Sequence, residues 1–366
     1  MRSDHMATKE KRIFSALEKN VDAIVLMNGT EPNLDSSFFY ATGITNGLFE
    51  GCAAIIRRKG IEVLTSRLEE LSAKQAGAHT TTFKTEKEFD ELLKKRLKGL
   101  GRIGINPDEL THANYRIIRK HSSGSKLVDV SSAIRTARMI KDAEEISRIR
   151  KACEIASKTA DSIPDLVGAG QKETEAAAEL NYKMMQFGAD GPSFDTNASF
   201  GPGTAEPHYT PGARKLRKGQ LALFDFGASY RRYVSDITRT FVCSSPNKKQ
   251  KEMYEVVLEA QLAAIDVVRD GAKGKEVDKA ARDIIERSKF KGRFIHSTGH
   301  GLGISVHDPG GLSQQRDLDL KTGMVLTIEP GVYIKDFGGV RIEDDILVTK
   351  TRAHILTKAS KEFISL

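Results

Sequence analysis

Apolar residues in the first third of the chain fall in short runs at residues 23–27, 53–57, 61–65, 102–105 and 126–130. Runs of this length, bounded by polar residues, predict buried strands. Between them, residues 66–76, 86–97 and 109–121 space their apolar positions three and four apart with charge on the other face, which predicts helices. Lys59-Gly60 stands where a tight hairpin turn would join two of the strands. These elements predict a small α/β domain over residues 1–136, closing near Arg135.

The pattern changes after the basic stretch 135–141. Asp142 and Glu145 have the spacing of a helix capping box. Ile146, Ile149, Cys153, Ala156, Ala160 and Ile163 then recur at helical spacing, and Pro164 is expected to stop that helix. A second helix, 173–187, ends at Gly188, and a hairpin pattern follows over 221–243. The same order then recurs, with helices at 248–270 and 275–289 and a hairpin at 325–348. An α+β domain over residues 137–366, built from pseudo-duplicated helix-helix-hairpin halves, is the reading this repetition supports.

Composition refines that picture only at its edges. The 366 residues suit two domains, and 39% hydrophobic with 29% charged residues is ordinary for a globular chain. No apolar run reaches the roughly 18 residues of a membrane span, and the opening MRSDHMATKEKR lacks the apolar core of a secretory signal. Cys52, Cys153 and Cys243 lie far apart without CxxC spacing, so buried free thiols and a cytoplasmic location are expected. The net charge of +8 is spread along helical faces without aromatic interleaving, which reads as a solvated surface and not as a nucleic-acid site.

Candidate chemistry lies in the hairpins. Asp225 interrupts the apolar run Leu221-Ala-Leu-Phe-Asp-Phe, and Glu329 interrupts Met324-Val-Leu-Thr-Ile-Glu. Asp236 and Glu343 sit on the two return strands. A buried carboxylate without a partner costs on the order of several kcal/mol, so a cation or a proton must relieve it. Taken singly, Asp236 is equally well read as an ion-pair partner of Arg239, and Glu343 of Arg341. Glu343, Asp344 and Asp345 form an acidic triplet of which strand geometry turns only alternate members to one side.

The histidines add a second signal. His300 lies between glycines in Ser297-Thr-Gly-His-Gly-Leu-Gly, where backbone approaches closely. His307 follows in Val-His-Asp-Pro, and His208 lies in the loop-like Glu206-Pro-His-Tyr-Thr-Pro. Four carboxylates and one imidazole make a hard, oxygen-rich donor set that favours Mn²⁺, Co²⁺ or Fe²⁺ and admits Zn²⁺. Four negative charges suffice for two divalent ions, which would activate water and polarise a carbonyl, the chemistry of hydrolysis.

Asp-Phe-Gly-Ala at 225–228, Ser-Asp-Ile-Thr-Arg-Thr at 235–240, Gly-His-Gly-Leu-Gly at 299–303, Thr-Ile-Glu-Pro-Gly at 327–331 and Gly-Val-Arg-Ile-Glu-Asp at 339–344 together resemble the metal-ligand motifs of the pita-bread metallopeptidases. The first third resembles the creatinase-like domain that accompanies prolidases and aminopeptidase P. The resemblance implies that Asp225 holds one metal, that His300 and Glu329 hold the other, and that Asp236 and Glu343 bridge both. It further implies that His208 and His307 contact the substrate carbonyl or the tetrahedral intermediate, that Arg341 supports Glu343, and that Tyr233 is an aromatic near the substrate. It implies a homodimer acting on peptides with proline at the second position.

Many prolidases continue the second histidine as His-Glu-x-Pro-Arg, whose arginine binds a dipeptide's free carboxylate. Here the run is His307-Asp-Pro-Gly-Gly311, closer to aminopeptidase P, with Arg316 five residues further on. Two alternatives share the scaffold: a creatinase-like amidinohydrolase, and a non-catalytic protein binding peptides or nucleic acid. The complete set of five ligands argues against both.

Overall fold

The computed structural model describes residues 8–366; residues 1–7, the start of the opening stretch read above for a secretory signal, lie outside the described residues. The chain divides into two compact units, one ending at Arg138 and one running from Met139 to Leu366. The first is built on a mixed six-stranded sheet. Its strands are β1 (Ala23–Met27), β2 (Ala53–Arg57), β3 (Gly60–Ser66), β4 (His79–Phe83), β5 (Arg102–Ile105) and β6 (Lys126–Asp129), ordered β4-β3-β2-β1-β5-β6. Helices α1 (Lys9–Ser15), α2 (Ser36–Thr42), α3 (Glu70–Gln75), α4 (Glu86–Leu97), α5 (His112–His121) and α6 (Ser131–Met139) complete it.

One expectation shifts here, and one strand has no counterpart among the expected elements. Ser66 ends β3, so the helix expected over 66–76 shrinks to α3. The strand β4, His-Thr-Thr-Thr-Phe, has no apolar run because it is a half-exposed edge strand, where β-branched threonines suit the pleat without burial.

In the second unit, α7 (Ala143–Leu166) begins with the reciprocal capping box expected of Asp142 and Glu145, each N–H···O contact at 2.9 Å. Pro164 does not stop this helix. It lies in the last turn, where its missing N–H forfeits a single bond, and Val167 N–H closes the end on Ile163 O at 2.9 Å. Next come α8 (Glu173–Gln186), β7 (Gly191–Pro192) and β8 (Asn197–Phe200).

Each expected hairpin is broken in the middle. The first comprises β9 (Leu221–Phe226), β10 (Ala228–Tyr230), β11 (Tyr233–Val234) and β12 (Ile237–Val242). After α9 (Lys248–Val267), α10 (Gly274–Arg287), β13 (Gly299–Gly301) and β14 (Asp308–Leu312), the second comprises β15 (Val325–Ile328), β16 (Gly331–Ile334), β17 (Gly338–Arg341) and β18 (Asp344–Val348), with β19 (Ala353–Ile355) beyond.

The base of each hairpin joins one sheet, β12-β9-β8 or β14-β13-β15-β18-β19, while the tips pair separately as β10 with β11 and β16 with β17. Ala156, Ala160, Leu180 and Met184 of α7 and α8 pack on Phe224, Phe226 and Ile237, and Val257, Ala264, Val277 and Ala281 of α9 and α10 pack on Leu326, Ile328, Val340 and Ile346. The pseudo-duplication is therefore physical, with each helix pair burying the apolar face of its own hairpin. Among the described residues, no helix is long and apolar enough to cross a membrane. The three cysteines are buried and unpaired.

Candidate metal centre

The breaks in the hairpins are where the acids gather. Asp236 lies between β11 and β12, Glu329 between β15 and β16, and Glu343 between β17 and β18. Asp225, one residue before the end of β9, stands opposite Thr238 of β12. At these breaks the strand changes sheets, so side chains that would alternate between core and solvent turn into the space between the two hairpins. Gly227 permits the first bend, because a Cβ there would lie 1.8 Å from Ser235 O.

His300 reaches the same space from β13. A Cβ on Gly299 would lie 1.9 Å from Thr327 O, and one on Gly301 would lie 2.2 Å from Pro309 O. Only glycine on both sides lets β13 thread between its neighbours. His300 Nδ1 donates to Gly301 O at 3.1 Å, which leaves the Nε2 lone pair facing Asp236 Oδ2 and Glu329 Oε1, each at 3.6 Å. Donor atoms of Asp236, His300 and Glu343 all lie within 4.8 Å of one another.

The electrostatics of this cluster are unfavourable as it stands. Burial pushes the carboxyls of Asp236, Glu343 and Glu329 above their usual range, and mutual repulsion adds to it: Asp236 feels Glu343 and Asp225, and Glu343 feels Glu329 and Asp225. Burial likewise lowers the pKa of His300. Asp225 Oδ1, Asp236 Oδ1 and Glu343 Oε1 are buried without a hydrogen-bond partner. Orphaned carboxylate oxygens converging beside an unprotonated imidazole nitrogen are the donor set a divalent cation requires, and the residues present fit such an ion.

The alternative ion pairs considered for single acids do not form as expected. Arg341 pairs with Asp225 (NH2–Oδ2 2.5 Å), not with Glu343, and reaches Glu343 only through Thr238, which accepts from Arg341 Nε at 3.0 Å and donates to Glu343 Oε2 at 2.7 Å. Arg239 pairs with Asp344 at 2.8 Å. The acidic triplet divides its work. Glu343 faces the cluster, Asp344 is held by Arg239, Lys361, Gln261 and Thr357, and Asp345 accepts the Asp236 N–H at 2.9 Å.

His307 meets His300 ring to ring, with centroids 4.5 Å apart. Partial burial and the imidazoles of His300 and His208 lower its pKa. Its neighbour Asp308 is anchored in the interior by Lys141 Nζ at 3.2 Å. His208 is exposed on its loop.

Tyr233 is not brought to the cluster. Its hydroxyl bonds Glu145 Oε1 at 3.0 Å, and its ring packs among Ile149, Cys153 and Leu302. The tyrosine at the site is Tyr333, which accepts from Arg341 NH1 at 2.8 Å and donates to His296 Nε2 at 2.8 Å. Neither Tyr333 nor His296 stood out in the sequence, although Tyr333 alternates with the core residue Val332 on β16 and so faces the other side. Over Gly311, which pairs with His300 in the sheet, lies the side chain of Arg316: a Cβ on Gly311 would meet its NH1 at 3.0 Å.

Two broken hairpins carrying buried acids around a glycine-flanked histidine define a metallopeptidase-type centre, and the chain belongs to metallopeptidase family M24, whose pattern matches residues 147–350. Residues 15–140 match the creatinase/prolidase N-terminal domain. Membership implies divalent metal at the site. The chain is 38% identical to the Xaa-Pro dipeptidase of Pyrococcus horikoshii over 363 residues, covering 99% of this chain and 100% of that one. Among solved structures it resembles the Xaa-Pro dipeptidase of Bacillus anthracis (TM-score 0.89, 33% identity, covering 98% of this chain and 99% of that one). It also resembles the X-Pro aminopeptidase of Thermotoga maritima (TM-score 0.88, 30% identity, covering 94% and 97%).

Proposed function

We propose that this chain hydrolyses Xaa-Pro peptide bonds using two divalent metal ions, Mn²⁺ or Co²⁺, held by Asp225, Asp236, His300, Glu329 and Glu343. The observation that carries the reading is the set of orphaned, buried oxygens on Asp225, Asp236 and Glu343 beside His300 Nε2. Relatives and structural neighbours named for Xaa-Pro cleavage support the substrate class. When bound, the ions supply the positive charge that polarises a carbonyl and activates water.

The protein's own groups do the rest. Asp236 and Glu343 would contribute carboxylates to the holding of both ions, and Arg341 and Thr238 fix the carboxylates of Asp225 and Glu343 in place. His307 and His208 hydrogen-bond the substrate carbonyl and then the developing oxyanion, with His307 kept neutral by its lowered pKa. The tertiary amide before proline has no N–H to bind, so recognition rests on shape and on the substrate's charged ends.

For the carboxylate end, Arg316 is the group on this chain that takes the part of the arginine missing at Gly311. Its guanidinium lies against the glycine that pairs with His300, and that position favours dipeptides. The test is a panel of a Xaa-Pro dipeptide, a Xaa-Pro-Xaa tripeptide and creatine, run with the metal-loaded protein and with Arg316→Ala. The dipeptide should be cleaved, with its KM raised about tenfold or more in Arg316→Ala, the order of one lost charged hydrogen bond. Cleavage confined to the tripeptide would make the activity that of an aminopeptidase, and cleavage of neither peptide would overturn the reading.

A further inference from the structure

Glu173, the first residue of α8, is fully buried. A carboxylate in that position is tolerated only if its oxygens are satisfied, and here every recorded donor comes from one stretch of chain. Phe200 N–H donates to Oε1 at 2.9 Å, Tyr209 O–H to Oε2 at 2.9 Å and Gly212 N–H to Oε2 at 3.0 Å, and Arg214 Nε lies 3.6 Å from Oε1. The helix start grips the same stretch, because Glu173 N–H bonds Arg214 O at 3.0 Å and Thr174 N–H bonds Gly212 O at 3.2 Å. These amides belong to the first turn, whose N–H groups have no partner within the helix.

The stretch so held is the one that carries His208. Its entry (Phe200) and its exit (Tyr209, Gly212, Arg214) converge on a single carboxylate, and Tyr209 is the residue next to His208. There is little slack between them. A Cβ on Gly203 would lie 3.2 Å from the Tyr209 ring and 3.5 Å from Glu173 Oε1. His208 itself is exposed, so the position of its imidazole depends on backbone that something else must fix.

We propose that Glu173 is a positioning residue that fixes His208 for its role at the substrate carbonyl, acting through Tyr209 and the Gly212 backbone. The inference rests on the function proposed above. A misplacement of about 1 Å in a catalytic group costs on the order of a hundredfold in rate, so loosening this one clamp should be visible in turnover while the metal centre stays intact.

The experiment is a double-mutant cycle on the Mn²⁺-loaded full chain, with Glu173→Gln, His208→Ala and the pair, read as kcat and KM for a Xaa-Pro dipeptide together with bound metal. Glu173→Gln should lower kcat at least tenfold with metal content unchanged, and should add nothing to His208→Ala. Tyr209→Phe removes a single hydroxyl, keeps the fold if Glu173→Gln does not, and should show the same non-additivity with a smaller loss. Losses that multiply, a His208→Ala variant with wild-type kcat, a Glu173→Gln variant without effect, or metal lost from Glu173→Gln would each overturn the inference. A wild-type protein that cleaves no Xaa-Pro peptide would instead overturn the function on which it rests.

Discussion

Replacing Arg341 by methionine removes a buried guanidinium while roughly keeping its volume. In the wild type that group bonds Asp225 Oδ2 at 2.5 Å, Thr238 Oγ1 at 3.0 Å and Tyr333 OH at 2.8 Å. In metal-free protein its loss leaves the half-buried Asp225 facing other carboxylates with its Oδ1 already unpartnered, and breaking a buried pair costs up to about 3–5 kcal/mol. If Asp225 is a metal ligand as proposed, bound metal would supply the missing positive charge. What remains lost are the bonds to Thr238 and Tyr333, about 1–2 kcal/mol together. Urea unfolding of wild type and Arg341→Met followed by circular dichroism, once in chelator and once in excess Mn²⁺, measures both losses. The loss should be larger by about 1–4 kcal/mol without metal, the span of the difference between those two figures. Equal losses in the two conditions would refute the reasoning, because Arg341 and the metal would then not be compensating the same carboxylates.

A second test concerns pH. Asp236, Glu329 and Glu343 have folded pKa values raised by burial, so the metal-free native state holds more protons than the unfolded chain, and its stability must fall as pH rises through those values. The lowered pKa values of His296 and His300 act in the opposite sense below about pH 6.5. Against that opposing contribution, Asp236→Asn should make the pH dependence of the melting temperature of metal-free protein less negative than in the wild type; the same dependence in both would contradict the assignment. In the first unit, Arg96 grips Glu62 with two hydrogen bonds at 2.7 and 2.6 Å and, as the largest cause, lowers its pKa. That stabilisation is present above the unfolded value of about 4.3 and is lost as pH falls through the lowered folded value. Glu62→Gln should therefore cost about 1–2 kcal/mol at pH 7 and progressively less as pH falls below the unfolded value, and a cost that does not change with pH would rule out the ion pair as the cause.

The acids of the site were legible because they broke an otherwise apolar pattern, and His300 because glycine flanked it on both sides. In the structure those glycines are where β13 runs so close to its neighbours that a Cβ would lie 1.9 Å from Thr327 O at Gly299 and 2.2 Å from Pro309 O at Gly301. What the sequence left open depends on which strands cross. Arg239 and Arg341 were each two or three residues from a candidate acid, yet their partners, Asp344 and Asp225, come from the other hairpin. Tyr233 and Tyr333 both lie near a hairpin break, and only the switch of sheet partner at each break decides that Tyr333 turns toward Arg341 while Tyr233 turns to Glu145. Local pattern also misjudged Pro164 and β4, because a proline in a last helical turn and a threonine-rich edge strand both escape rules written for element interiors.

The central claim is that five side chains from two hairpins and one glycine-flanked strand hold two metal ions. Metal stripped from the purified chain and returned as Mn²⁺ or Co²⁺, counted by inductively coupled plasma mass spectrometry in wild type and in Asp236→Ala, tests it most directly. Two ions per chain in the wild type, with a marked loss in Asp236→Ala, is the predicted result. Fewer than two ions in the wild type, or wild-type content in Asp236→Ala, would contradict the account.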